Sequence, residues 1–180
     1  MEKFECDGNM YYISPKGKIL DECFCEVNSV ILKKVGKELY GQLDYKAMGK
    51  EQLADFIKTV KNVELYSLAK ESCLYAMRTF QEDKYFINTI LAIFISSCRK
   101  LGCQREAIDI TNACLKNGIG DTVAILTSLA SAYLDIENYD KAKKCANRAY
   151  FLQGGGKGET TELSLVYSRL RSLTGDDFNG

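Results

Sequence analysis

Histidine is absent from this chain of 180 residues, and proline occurs only once, as Pro15. The lack of histidine removes the commonest general base, the usual activator of a nucleophile and the commonest metal ligand. An enzyme is therefore the less favoured class, and we expect no catalytic residue and no cofactor. Pro15 suits a turn and would be awkward inside a helix or a central strand.

The sequence also lacks any excess of charge and any long apolar run. Lysine plus arginine and aspartate plus glutamate number 24 each, so no bulk charge draws the chain to nucleic acid or to an anionic membrane. Charged residues open the sequence, and no window approaches the ~18 to 20 apolar residues that span a bilayer. The sequence predicts a soluble cytoplasmic protein that binds neither nucleic acid nor membrane.

Eight cysteines are present, and two interpretations compete for them. Cys73, Cys98, Cys114 and Cys145 occupy predicted helical positions that would otherwise hold alanine, which favours reduced cysteines that pack as small apolar residues. Cys6, Cys23 and Cys25 offer three thiolates near a turn, which is the beginning of a zinc site. A paired C-x-x-C and a fourth ligand are missing, so we predict that no metal is bound.

The first 20 residues favour a small β-sheet, because two turn sequences surround a segment rich in strand-forming residues. The turn sequences are Cys6-Asp7-Gly8-Asn9 and Ser14-Pro15-Lys16-Gly17. The predicted strands are Lys3 to Cys6, Met10 to Ser14 and Lys18 to Leu20. Such a hairpin or three-stranded meander is marginal alone and must pack against another element.

One amphipathic helix is predicted after the sheet. Apolar residues recur every fourth position, and Asn28 or Ser29 is the expected N-cap, while Gly36 weakens the helix. The apolar residues are Val27, Ile31, Val35 and Leu39. Residues 1–48 are therefore interpreted as an N-terminal appendage of β-hairpin or meander plus helix.

The segment from Asp121 to Gln153 contains two helical patterns separated by a short polar break. The first carries apolar residues at helical spacing, and the second carries alanine every three or four positions, which lets a neighbouring helix approach closely. The residues are Leu126, Leu129, Ala130 and Tyr133, followed by Tyr139, Ala142, Ala146 and Ala149. This pattern resembles the tetratricopeptide repeat (TPR), a helix pair of about 34 residues.

Two further segments match the same register, because Ala142 corresponds to Ala107 and then to Ala69. A helix pair cannot bury its own apolar face, so neighbouring repeats are expected. After the glycines near Gly154, the residues Leu163, Val166, Tyr167 and Leu170 predict a terminal capping helix that stops at Gly175, with Arg169, Arg171 and Ser172 on its soluble outer side. The resemblance thus implies a mostly α fold, a TPR-like α-α superhelix of about three helix pairs plus a cap, over residues 49–175.

In the TPR family the first helices of successive pairs line a concave groove that holds a peptide or a partner helix. The resemblance places small and hydroxyl residues in the middle of that groove and bases toward its end, where they pair with acidic groups of the ligand. The implied groove residues are Lys58, Lys61, Thr89, Ser96, Arg99, Lys100, Ala124, Thr127, Ser131 and Arg171. The alternative is that these serines and threonines simply solvate a helix face.

Two other patterns are set aside. The family's clamp for a C-terminal carboxylate is not reproduced, because Ile93 and Ser128 stand where asparagine is expected. The segment from Gly154 to Thr161 is glycine-rich and precedes a helix, but a phosphate-binding loop needs Ser or Thr directly after Lys157, where Gly158 stands.

The sequence therefore predicts a non-enzymatic adaptor or scaffold protein that binds a peptide or amphipathic helix of another protein in the groove. The alternative is a structural or assembly module that self-associates or docks through its N-terminal hairpin and helix.

Overall fold

The computed structural model describes residues 2–14, 18–155 and 161–175. The chain forms two compact units, Met1–Phe80 and Gln81–Gly180. The described part is mostly helical, with a small antiparallel sheet at its start, as the sequence predicts. The predicted repeat region 49–175 begins inside the first unit.

The first unit opens with three antiparallel strands in the order β1-β2-β3. They are β1 (Glu2–Cys6), β2 (Asn9–Ile13) and β3 (Ile19–Leu20). Asp7 and Gly8 form the two-residue turn between β1 and β2, and both have positive φ. The predicted turn at Cys6-Asp7-Gly8-Asn9 is confirmed, β3 is shorter than predicted, and the predicted turn at residues 15–17 lies outside the described residues.

Helix α1 (Ser29–Gln42) begins where the sequence predicts, and the Asn28 side chain caps it by accepting hydrogen bonds from two backbone N–H groups. Gly36 does not interrupt this helix. A Cβ atom at Gly36 would lie 2.9 Å from Cγ1 of Val63 and 3.3 Å from the Tyr40 ring. The glycine therefore allows close packing of α1 on the residues that follow α2.

The remainder of the first unit is a 3-10 turn (Tyr45–Ala47) and a pair of helices, α2 (Lys50–Asn62) and α3 (Tyr66–Thr79). Leu53, Ile57 and Val60 of α2 are fully buried. The alanine of α3 that aligns with the repeat pattern, Ala69, is also fully buried.

The second unit consists of helices along its whole described length. They are α4 (Lys84–Lys100), α5 (Gln104–Lys116), α6 (Val123–Asp135), α7 (Tyr139–Leu152) and α8 (Thr161–Thr174). Helix α4 packs on α5 and α6, and α6 packs on α5, α7 and α8. The predicted alanine face of α7 is confirmed, because Ala142, Ala146 and Ala149 are fully buried.

The same turn joins α2 to α3, α4 to α5 and α6 to α7. Each turn has one residue of positive φ, namely Glu64, Gly102 and Glu137. In each, the next residue donates its backbone N–H to a carbonyl five positions earlier: Leu65 to Val60, Cys103 to Cys98 and Asn138 to Tyr133. This is the left-handed helix ending that commonly terminates an α-helix. The positive-φ residues are 38 and then 35 positions apart, which is the spacing of the aligned alanines in the sequence.

In the described part of the chain, no helix is both long and apolar enough to cross a membrane. The eight cysteines, all among the described residues, form no disulfide bond; Cys73 and Cys98 are buried, while Cys114 and Cys145 are half-buried.

Candidate partner-binding face

Helices α4 and α6 run side by side in the same direction. Near the start of α4, Oδ1 of Asn88 accepts a hydrogen bond of 2.8 Å from the Gly120 N–H, just before α6 begins. At the end of both helices, Nε of Arg99 lies 2.6 Å from Oδ2 of Asp135. Because contacts join start to start and end to end, the two helices are parallel.

Each helix carries one stripe of accessible side chains along its length. On α4 the stripe includes Thr89, Ser96 and Arg99, and on α6 it includes Ala124, Ser131 and Asp135. Positions three or four apart lie on one side of a helix. The last members of the two stripes are bonded to each other, so both stripes lie on one side of the helix pair. We name these six residues the α4–α6 face.

A cluster of three charged residues closes this face at its C-terminal end. Oδ1 of Asp135 also accepts bonds of 3.1 Å from both terminal nitrogens of Arg169, which belongs to α8. The side chain of Asp135 is 19% exposed, that of Arg99 28% and that of Arg169 44%. Partly buried bonds between guanidinium and carboxylate groups are among the stronger polar contacts in proteins.

The electrostatics of the cluster favour the ionised carboxylate. Burial raises the pKa of Asp135, but hydrogen bonds and charge from Arg99 and then Arg169 outweigh it, so the pKa is lowered from its ordinary value of 3.8. One carboxylate thus joins the C-terminal ends of α4 and α6 to Arg169 of α8. This role of Arg169 was not predicted from the sequence, which placed Arg169 on the soluble outer side of the capping helix.

An open cavity of about 510 Å³ lies beside the cluster. Its lining is polar apart from two leucines, and it takes residues from α4, α6 and α8, from the first residues of α5 and α7, and from the turn between α6 and α7. The residues are Arg99, Gln104, Leu134, Asp135, Glu137, Tyr139, Arg169 and Leu173. The cavity is a continuation of the α4–α6 face, because Arg99 and Asp135 belong to both.

The small residues predicted for the groove differ in accessibility. Thr89 and Ala124 are exposed, Ser96 and Ser131 are half-buried, and Thr127 is only 5% exposed. The Thr89 hydroxyl donates to the carbonyl of Tyr85, whereas the Thr127 hydroxyl has no hydrogen-bond partner among the described residues. Thr127 is therefore mainly a packing residue between helices, and the accessible wall consists of the other four.

The predicted basic residues lie on three helices. Lys100 is exposed at the end of α4, and Arg171 is exposed in the last turn of α8. Lys58 and Lys61 belong to α2 of the first unit, where Nζ of Lys58 lies 3.4 Å from Oδ1 of Asp55. Only Arg99 of the predicted bases forms part of the charged cluster.

The three cysteines considered as metal ligands near the N-terminus differ in their surroundings. Cys6 is buried, and a hydrogen bond with Glu38 raises the pKa of its thiol, whereas Cys23 and Cys25 are exposed. Across residues 2–14, 18–155 and 161–175, no three Cys, Asp or Glu side chains are grouped so as to hold a metal ion. Most of the glycine-rich segment, residues 156–160, lies outside the described residues.

Comparisons of this chain with models of known protein families, with curated proteins and with solved structures found no match. The class of protein that the fold defines is a mostly helical one with a small N-terminal sheet.

Proposed function

We propose that this chain is a non-enzymatic adaptor or scaffold that binds an acidic peptide or amphipathic helix of another protein along the α4–α6 face. The proposal includes a TPR-like arrangement, in which α4, α6 and α8 are the first helices of successive repeats and line a groove. The observation that carries it is the pair of parallel accessible stripes, which carry small side chains at Thr89, Ser96, Ala124 and Ser131 and end in the cluster of Arg99, Asp135 and Arg169.

The repeated turns support the TPR-like interpretation. Gly102 and Glu137 are 35 positions apart, and so are Thr89 and Ala124, and Ser96 and Ser131, on the two stripes. Corresponding positions of two successive helix pairs are thus accessible together. Small side chains at these repeated positions leave room for a ligand backbone to approach closely.

The charge at the end of the face favours an acidic ligand. This end of the face carries three basic residues, Arg99, Lys100 and Arg169, and two acidic residues, Asp135 and Glu137, so its net charge is +1. Arg99 and Arg169 each use only two of their five N–H donors on Asp135. The remaining donors are suited to carboxylates of a bound peptide.

Selection from a display library of short peptides, followed by affinity measurements, tests the proposal. We expect the selected peptides to be rich in Asp and Glu, and their affinity to fall at least about tenfold with Lys100→Glu or with Ala124→Trp, which fills the face. Matched controls are Lys116→Glu and Ala113→Trp on α5, because Lys116 and Ala113 are also exposed. Failure to select acidic peptides, or equal losses with the α5 controls, contradicts the proposal.

A further inference from the structure

Strand β1 lies at the edge of the sheet in the first unit. Its partner is β2, with which it pairs antiparallel from Glu2↔Ile13 to Cys6↔Asn9. No other described strand pairs with β1. An unpaired strand edge presents backbone donors and acceptors to any extended chain that fits it.

The register shows which backbone groups face outward. Cys6 and Asn9 flank the two-residue turn, so they form a hydrogen-bonded pair, and such pairs alternate along an antiparallel ladder. Phe4 and Glu2 therefore also bond to β2. The N–H and C=O groups of Lys3 and Glu5 point away from β2, toward the free edge.

The two outward-facing positions carry opposite charges. The side chains of Lys3 and Glu5 are exposed, and neither forms an ion pair within the described residues. Two β1 strands can pair antiparallel through their outward-facing backbone groups in three registers. In the first two, Lys3 lies opposite Lys3 or Glu5 lies opposite Glu5, and like charges facing each other are destabilising. In the third, Lys3 of each strand lies opposite Glu5 of the other, which gives two pairs of opposite charge.

We propose that β1 is a self-association edge whose partner is β1 of a second copy of this chain, antiparallel and centred on Phe4. In this register Lys3 faces Glu5 of the second copy and Glu5 faces Lys3, with two backbone hydrogen bonds at each of these pairs. The arrangement has two-fold symmetry, which makes one surface its own partner. The two sheets become one sheet of six strands.

Side-chain packing at the centre of this register is compatible with the pairing. Phe4 meets Phe4 of the second copy at a non-hydrogen-bonded position, where side chains of facing residues come closest. Phe4 is half-buried, and its ring stacks on Tyr11 with a centroid distance of 5.6 Å. Four aromatic rings then line one side of the junction.

The test is the solution mass of the full chain, measured by sedimentation equilibrium over a range of concentrations. We expect a reversible monomer–dimer equilibrium. Glu5→Lys and Lys3→Glu each place like charges at both pairs, and each weakens dimerisation by about tenfold or more. An equal mixture of these two variants restores it, because a strand with two lysines meets a strand with two glutamates.

Two further variants separate the edge from other surfaces. Glu5→Pro removes an outward N–H without touching the ladder with β2, and we expect it to abolish the dimer. Glu51→Lys changes the net charge in the same way as Glu5→Lys, but on the exposed start of α2, and the dimer should persist. The proposal is overturned if the chain stays monomeric, if the dimer is unaffected by the β1 variants, or if the mixture of variants does not restore dimerisation. A monomeric chain is also the result expected if the strand of another protein occupies the edge.

Discussion

Replacing Asp135 with asparagine removes the charge that joins α4, α6 and α8 while keeping the shape of the side chain. In the wild-type protein this carboxylate accepts four hydrogen bonds, at 2.6 and 3.3 Å from Arg99 and twice at 3.1 Å from Arg169. The variant leaves two guanidinium groups close together without their counter-ion. We expect the second unit to be destabilised.

The magnitude follows from burial. Removing one partner of a fully buried ion pair costs about 3–5 kcal/mol, whereas exposed pairs contribute about 0–1 kcal/mol. Arg99 and Arg169 are 28% and 44% exposed, so solvent screens part of the interaction. We expect a loss of about 2 kcal/mol in the free energy of unfolding at neutral pH.

Urea denaturation of the wild-type protein and of Asp135→Asn, followed by circular dichroism over a range of pH, measures this loss. The folded-state pKa of Asp135 is lowered, so its contribution to stability is present above the unfolded-state pKa and is lost as pH falls through the folded-state pKa. The difference between the two proteins should be constant at pH 6 to 8, as a group with an unfolded pKa of about 3.9 requires, and should shrink in acid.

Asp55→Asn is the matched control, because Asp55 is 70% exposed and pairs with Lys58 at 3.4 Å. It should leave stability unchanged within error. The assignment of this cluster as a structural ion pair would be refuted if Asp135→Asn were as stable as the wild-type protein at neutral pH. It would also be refuted if the difference in the free energy of unfolding between the two proteins stayed the same in strong acid.

Two more predictions concern single residues. Glu137→Gly should raise the free energy of unfolding by about 0.5–1 kcal/mol and Gly102→Ala should lower it similarly, because both residues have positive φ at the same turn position. A loss of stability with Glu137→Gly, or a gain with Gly102→Ala, in urea denaturation would contradict this. Burial raises the pKa of the Cys145 thiol to about 11, so alkylation of the native protein at pH 8, followed by peptide mass spectrometry, should modify exposed Cys23 at least about tenfold faster than Cys145. Equal rates in the folded protein would show that α7 opens readily.

The local features of the fold were predictable from the sequence. The Asp7-Gly8 turn, the Asn28 cap and the buried alanines of α7 each follow from residues that are neighbours along the chain or one helical turn apart. Gly36 is the exception. The sequence shows that a glycine weakens the helix, but it does not show that the Val63 side chain lies so close that a larger residue would clash.

The charged cluster was not predictable by the same reasoning. Arg99 and Asp135 are 36 positions apart, and Asp135 and Arg169 are 34 apart, so no local pattern joins them. The repeat register offered the one signal, because it aligns the ends of α4, α6 and α8. Glu64 and Glu137 were missed as turn residues for a different reason: glutamate is not a residue that favours positive φ, and only its alignment with Gly102 marks the position.

The double role of Arg99 decides how the proposed function can be tested. Arg99 belongs to the α4–α6 face and also binds Asp135, with Nε of Arg99 2.6 Å from Oδ2 of Asp135. Arg99→Glu would therefore place a second carboxylate next to that of Asp135. That variant would lose stability and ligand affinity together, and the two effects could not be separated. Lys100 is exposed and belongs to no ion pair in the described part of the chain, so its reversal changes the charge offered to a ligand without disturbing the joint between the helices. A loss of peptide affinity with Lys100→Glu at unchanged stability therefore reports on binding alone, whereas the same loss with Arg99→Glu does not.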